Sequence, residues 1–273
     1  MHPVIFILIL ILFFFSTGGT NPINVTTYTI LLAGESNMAG RGGVNGTWDR
    51  FIPPESLPAN PDSVIRLSPE LRWEPATEPL HHSIDITVDQ DHLGIGPGMA
   101  FATALLRRVD PSNTGTATVA LVPAAMGDSG ILRWQSGNSS AVYLNLLVRA
   151  EAAALSFGPI AGMLWYQGES DTVSPQLAAA YGPRLRDFFN SIRADLAMPQ
   201  LPIIQVALAS GILNRTAPAD LETVRSAQLG LRMARVRCVD AMGLKLESND
   251  THLTTAAQVK LGQLMADAFL QPW

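Results

Sequence analysis

Ser36 is the first residue whose setting suggests chemistry. It stands in LLAGESNMAGRGG, residues 31–43, where an apolar run stops at Gly34 and four of the last ten residues are glycine. A serine on a sharp turn out of a strand can act as a nucleophile if a base reaches it. The turn does not fit a phosphate cradle, since neither G-K-[S/T] nor G-x-G-x-x-G accompanies it, and it is not the G-x-S-x-G elbow. Capping of a helix by Ser36 is compatible with the nucleophile role, because a helix N-terminus also stabilises a developing oxyanion. His252, in ESNDTHLTT (residues 247–255), is the natural candidate for the base, while His81, His82 and His92 compete from an irregular segment. The five histidines are otherwise dispersed and no HExxH-type spacing is present, so no metal centre is expected.

The chain elements must bring these residues together. Apolar runs of strand length cover residues 28–33 (YTILLA), 117–123 (ATVALVP), 160–166 (IAGMLWY), 202–208 (PIIQVAL) and, more weakly, 237–242. They do not alternate with polar residues, which is the pattern of parallel strands covered on both faces. Helical patterns fall between and after them, over residues 97–109, 139–157, 175–196, 221–236 and 254–270, the last with TTAAQ as a capped start. The alternation predicts an α/β fold, a three-layer α/β/α sandwich on a mostly parallel sheet. Residues 43–94 break the pattern: long, Pro-rich and poorly periodic, they read as a functional or disordered loop. Ligands of open parallel sheets bind at the carboxyl ends of the strands. There this chain places Gly34 to Asn37, AAMGDSG (124–130), QGESD (167–171) and the His252 segment.

With 273 residues, 47% hydrophobic and only 15% charged, the chain can bury one large core. A net charge of −5 excludes the basic face that nucleic acid requires. Residues 4–15 read VIFILILILFFF, which is short of the roughly 20 residues that span a bilayer. Ser16 to Gly19 follow as at a signal-peptidase site, although no Lys or Arg precedes the run. The expectation is a cleavable signal peptide over residues 1–19, with a retained anchor as the alternative. One domain follows over residues 20–273, secreted and without stable membrane association once cleaved. Glycosylation sequons at Asn24, Asn45, Asn138, Asn214 and Asn249 agree with that route, and the lone Cys238 forms no intrachain disulfide and reads as a buried small hydrophobe.

Five blocks then occur in order: GESNM with AGRGG, GPGMAFA, VPAAMGDS, WYQGESD, and D-x-H-L-T-T before the last helix. Together they resemble the SGNH-hydrolase superfamily, and within it the sialate O-acetylesterase-like group that includes acetyl xylan esterases and plant probable carbohydrate esterases. The resemblance runs from about residue 27 to the C-terminus and implies a flavodoxin-like sheet and a serine esterase acting on acetylated carbohydrate. No metal or organic cofactor is implied, since water is the second substrate. On this sequence the resemblance makes Ser36 the nucleophile and His252 the base. It makes the N–H groups of Ser36 and Gly127 oxyanion donors, with Gln167 assigned as the side-chain amide.

Two departures stand out. Glu35 replaces the usual glutamine of G-Q-S-N-M, at a position expected to point away from the chemistry. The usual D-x-x-H becomes N-D-T-H: Asn249 stands three residues before His252, and Asp250 only two. The acid orienting the imidazole is then Asp250 on a shifted loop, Glu169 of the QGES block, or absent. The sequon at Asn249 is expected to be unoccupied, since a glycan there would obstruct the site. Arg41 is read as contacting substrate or as a structural hydrogen-bonder, and Trp73 and Trp134 as contacting sugar or packing the loops. The alternatives to a carbohydrate acetylesterase are a weakened carbohydrate-binding relative and a lipase-like esterase for longer acyl chains.

Overall fold

The computed structural model describes residues 25–138 and 140–273, so the expected signal peptide and the Asn24 sequon lie outside the described residues. The five apolar runs become β1 (Thr26–Gly34), β6 (Ala117–Pro123), β7 (Ile160–Tyr166), β8 (Ile203–Ala207) and β9 (Val236–Asp240). They pair in parallel in the order β6-β1-β7-β8-β9. That is the 2-1-3-4-5 order of the flavodoxin-like doubly wound fold, whose switch point lies between β1 and β7. Ile30 to Ala33 of β1 are wholly buried, which explains why this strand shows no alternation: both of its faces are covered.

One covering layer holds α2 (Gly98–Val109) and α6 (Thr255–Leu270). They lie so close that a Cβ on Gly262 would come 2.4 Å from the Pro97 carbonyl oxygen. The other layer holds α3 (Ala141–Ser156), α4 (Pro175–Asp195) and α5 (Pro218–Gly230). Trp165 of β7 points into that layer, with its ring centroid 4.5 Å from that of Phe188 and 5.0 Å from that of Trp134. The helix bounds agree with the sequence pattern within a few residues. The largest shift is in α5, which starts at Pro218 and stops at Gly230, punctuated by a proline in its first turn and a glycine at its end. Thr254 caps α6 by accepting from Ala257 N at 3.3 Å.

The segment read as a functional or disordered loop carries strands of its own. β4 (Val64–Leu67) extends the sheet beside β6, and β5 (Trp73–Pro75) closes the edge antiparallel to it. The apolar pattern of these strands is hidden by a cross-strand ion pair, Arg66 facing Glu74 at 2.7 Å, and by Pro75, which an edge strand tolerates. A two-residue-per-strand hairpin, β2 (Val44–Asn45) and β3 (Thr47–Trp48), follows the nucleophile turn. Cys238, on β9, is half-buried, and burial, reinforced by Asp240, pushes its thiol up to about 11.

Candidate active site

β1 ends in Gly34 with φ 137°, and a Cβ there would lie 2.0 Å from the Tyr166 carbonyl oxygen, so only glycine lets the chain turn out beside β7. The turn leads into the short helix α1 (Ser36–Ala39), which Ser36 heads. Its N–H belongs to the first turn, where no intrahelical carbonyl is available. His252 lies between β9 and α6. Its Nε2 stands 3.0 Å from Ser36 Oγ, although the two residues are 216 apart in sequence. Burial first, and then the positive charge of Arg41, push the imidazole down to about 4, so it is neutral near pH 7.

The far side of the ring meets neither carboxylate candidate. Asn249 Nδ2 lies 2.9 Å from His252 Nδ1, while Asn249 Oδ1 accepts from Thr251 N and His252 N, each at 3.0 Å. Asp250 is exposed, with φ 48°, and no bond among the described residues joins it to His252. Glu169 is buried and bound elsewhere, its Oε1 accepting from Asn37 Nδ2 at 2.7 Å. Burial, with the charge of Glu35 beside it, holds the Glu169 carboxyl well above the usual carboxylate range.

Glu35 does not point away. Its Oε1 accepts from the N–H groups of Gly168 and Ser170, each at 3.0 Å, and its Oε2 accepts from Ser170 Oγ at 2.6 Å. The Ser36 turn and the QGES turn are thus tied together by a side chain buried to within 1%. Asn37 makes the second tie. Besides Glu169 it reaches Thr251 O and Leu253 N, on either side of His252. Its role was not read from the sequence, although its place immediately after the nucleophile was the available signal.

Three further site candidates are held by partners of their own. The amide nitrogen of Gln167 donates to Asp171 Oδ2 at 2.7 Å and to Ser129 O at 3.2 Å, so it braces the loop after β6 instead of facing Ser36 as an oxyanion donor. Gly127 donates its N–H to Asp85 Oδ1 at 3.2 Å, and a Cβ on it would come 2.3 Å from Thr87 Oγ1. Arg41 is buried in an ion pair with Asp85 at 2.7 Å and also donates to Gly40 O at 2.9 Å. Of its two readings, the structural one describes its contacts. Burial raises the Asp85 carboxyl, but the Arg41 guanidinium outweighs it and holds the group below its ordinary value. Asp85, from the irregular segment, thus links Arg41, Thr87 and Gly127.

His81 is buried with both ring nitrogens unpartnered, and His82 bonds Ser83; neither they nor His92 bonds Ser36. Trp134 is wholly buried with Nε1 on Ser129 O, and Trp73 packs on Phe157, so both serve loop packing.

The family profile described as "Carbohydrate esterase, sialic acid-specific acetylesterase" matches residues 26–271. A probable carbohydrate esterase of Arabidopsis thaliana is 45% identical over 247 residues, covering 88% of this chain and 89% of that one. An X-ray structure from the same Arabidopsis locus superposes with a TM-score of 0.81 at 43% identity, over 90% of this chain and 98% of that chain. NanS shares the fold, with a TM-score of 0.66 at 18% identity over 90% of this chain and 97% of its own. A profile spanning every strand and α-helix of the described residues, with a relative of this identity and coverage, shows that the chain belongs to the sialic acid-specific acetylesterase family of carbohydrate esterases.

Proposed function

We propose that this protein removes O-acetyl groups from carbohydrate through an acyl-enzyme on Ser36. The observation that carries the reading is the approach of Ser36 Oγ to His252 Nε2 at 3.0 Å, at the carboxyl edge of the sheet. His252 Nε2 takes the hydroxyl proton as Oγ bonds to the acetyl carbonyl carbon. The carbon–oxygen bond to the sugar then breaks, and the sugar oxygen leaves with that proton. Water, deprotonated by the same nitrogen, attacks the acetyl-serine and releases acetate. The N–H of Ser36 receives the developing oxyanion, and that of Gly127 joins it by exchanging its long bond to Asp85.

A small acetyl ester and an acetylated xylooligosaccharide test the reading, with Ser36→Ala as the reference. Ser36→Ala is expected to fall to the uncatalysed background while keeping the wild-type melting temperature. Wild-type turnover no higher than that of Ser36→Ala would refute the esterase reading. A second reading, a sugar-binding relative with weakened turnover, is favoured by Asn249 standing on the histidine where an acid is usual. It predicts saturable binding of the acetylated oligosaccharide without acetate release. Secretion belongs to the same proposal, supported by the apolar run at residues 4–15 and the five sequons.

A further inference from the structure

The amide of Asn249 is anchored by its oxygen. Thr251 N and His252 N both donate to Oδ1 at 3.0 Å, which leaves Nδ2 to face the imidazole, 2.9 Å from Nδ1. Turning the amide over would set its NH2 against two N–H donors, losing two bonds to gain one, so the hydrogen-bond network assigns its orientation. An amide NH2 offers no lone pair to a ring N–H, so Nδ1 must accept. A neutral imidazole whose Nδ1 accepts carries its proton on Nε2. That Nε2 is the atom beside Ser36 Oγ, so at rest it donates to the hydroxyl when catalysis needs it to accept.

We infer that Asn249 is a positioning residue that holds His252 in the tautomer protonated on Nε2, and thereby throttles the general base of the reaction. The inference rests on the Ser36–His252 reading above. For Ser36 to lose its proton, the ring proton must first move to Nδ1, where it confronts the Asn249 NH2, or the amide must abandon both backbone N–H groups. A carboxylate of the same shape removes the conflict: one oxygen accepts the two backbone N–H groups and the other accepts Nδ1–H. Neither candidate acid relieves it, since Asp250 is exposed and Glu169 is held by Asn37. Asn249→Asp is therefore nearly isosteric but opposite in the tautomer it favours.

Two measurements on the folded protein test this. Nitrogen-15 NMR of histidine-labelled protein near pH 7, with the His252 signal identified by its loss in His252→Gln, reads the tautomer directly. The wild type is expected to show a protonated Nε2 and a bare Nδ1, and Asn249→Asp the reverse. Hydrolysis of a small acetyl ester, corrected for the Ser36→Ala background, is expected to rise in kcat for Asn249→Asp by at least about 10²-fold and by up to about 10⁴-fold, the size of the opposite exchange in a serine-protease triad. The acid limb of kcat/KM, near pH 4 in the wild type because burial and then the Arg41 charge disfavour the imidazolium, should move upward as the new carboxylate favours it.

A wild-type His252 protonated on Nδ1 overturns the inference, as does a tautomer switch in Asn249→Asp that leaves kcat unchanged in an active enzyme. If Asn249→Asp does not fold, the wild-type spectrum decides alone. If the tautomer follows residue 249 but no variant turns over ester, the positioning role stands and the esterase reading fails.

Discussion

Asn37 follows the nucleophile directly, and its side chain bonds Glu169, Thr251 O, Leu253 N and Gln258. It fixes the height of His252 above Ser36 without touching a reacting atom. Asn37→Ala would leave the Leu253 N–H and the Glu169 carboxyl without this partner in the interior, at about 1–3 kcal/mol each. It should therefore lower stability by about 2–6 kcal/mol and, on the proposed mechanism, turnover by about 10²-fold, since a displacement near 1 Å at reacting groups has that effect. Thermal unfolding and kcat measured together check this, and a variant unchanged in both contradicts it. Ser36 and His252 were legible in the sequence because each sits in a polar block at the end of a strand. Asn37, Glu35 and Asp85 were not, because their work consists of through-space bonds between blocks 42 or more residues apart, which spacing along the chain does not encode.

At the level of elements, α3 secures the non-switching half of the sheet through one side chain. Arg149 is buried to within 2%, and its guanidinium donates to Pro123 O at the end of β6, to Leu67 O at the end of β4 and to Ser68 O. Burial lowers this group to about 10, yet it stays charged at neutral pH. Three carbonyls read by one planar fork do not suit the compact ammonium of lysine. Arg149→Lys is expected to cost about 2–4 kcal/mol by stranding buried carbonyls, visible as a lowered denaturation midpoint; an unchanged midpoint would contradict this role. The main strands and helices were legible because two-sided burial writes continuous apolar runs. β4 and β5 were missed for the converse reason: two short strands at one end of the sheet, tied by Arg66–Glu74, leave no apolar period to read.

Across the whole molecule, buried ionisable groups set opposing pH trends. Burial pushes Glu78 up to about 8 and holds Glu169 well above its ordinary value. A carboxyl with a raised folded pKa contributes stability that is full below its unfolded value and is lost as pH rises toward the folded one. His81 and His252, pushed down by burial to about 3 and about 4, contribute stability that is lost as pH falls below about 6.5. The unfolding free energy is therefore expected to fall between pH 6.5 and 8, by at most about 1.4 kcal/mol per pH unit for each acid, and the melting temperature to fall with it. Glu78→Gln with Glu169→Gln should flatten that fall, and a wild-type melting temperature that rises over this range would contradict the assignment.

The 216 residues between Ser36 and His252 also give the site a birth order. Synthesis at about 5–20 residues per second delivers Ser36, the proposed nucleophile, about 10–40 s before His252, its proposed base. Through that interval the growing chain carries Ser36 with no partner able to activate it. On the proposed mechanism, a chain truncated before residue 252 lacks the base and is expected to hydrolyse a small acetyl ester no faster than Ser36→Ala.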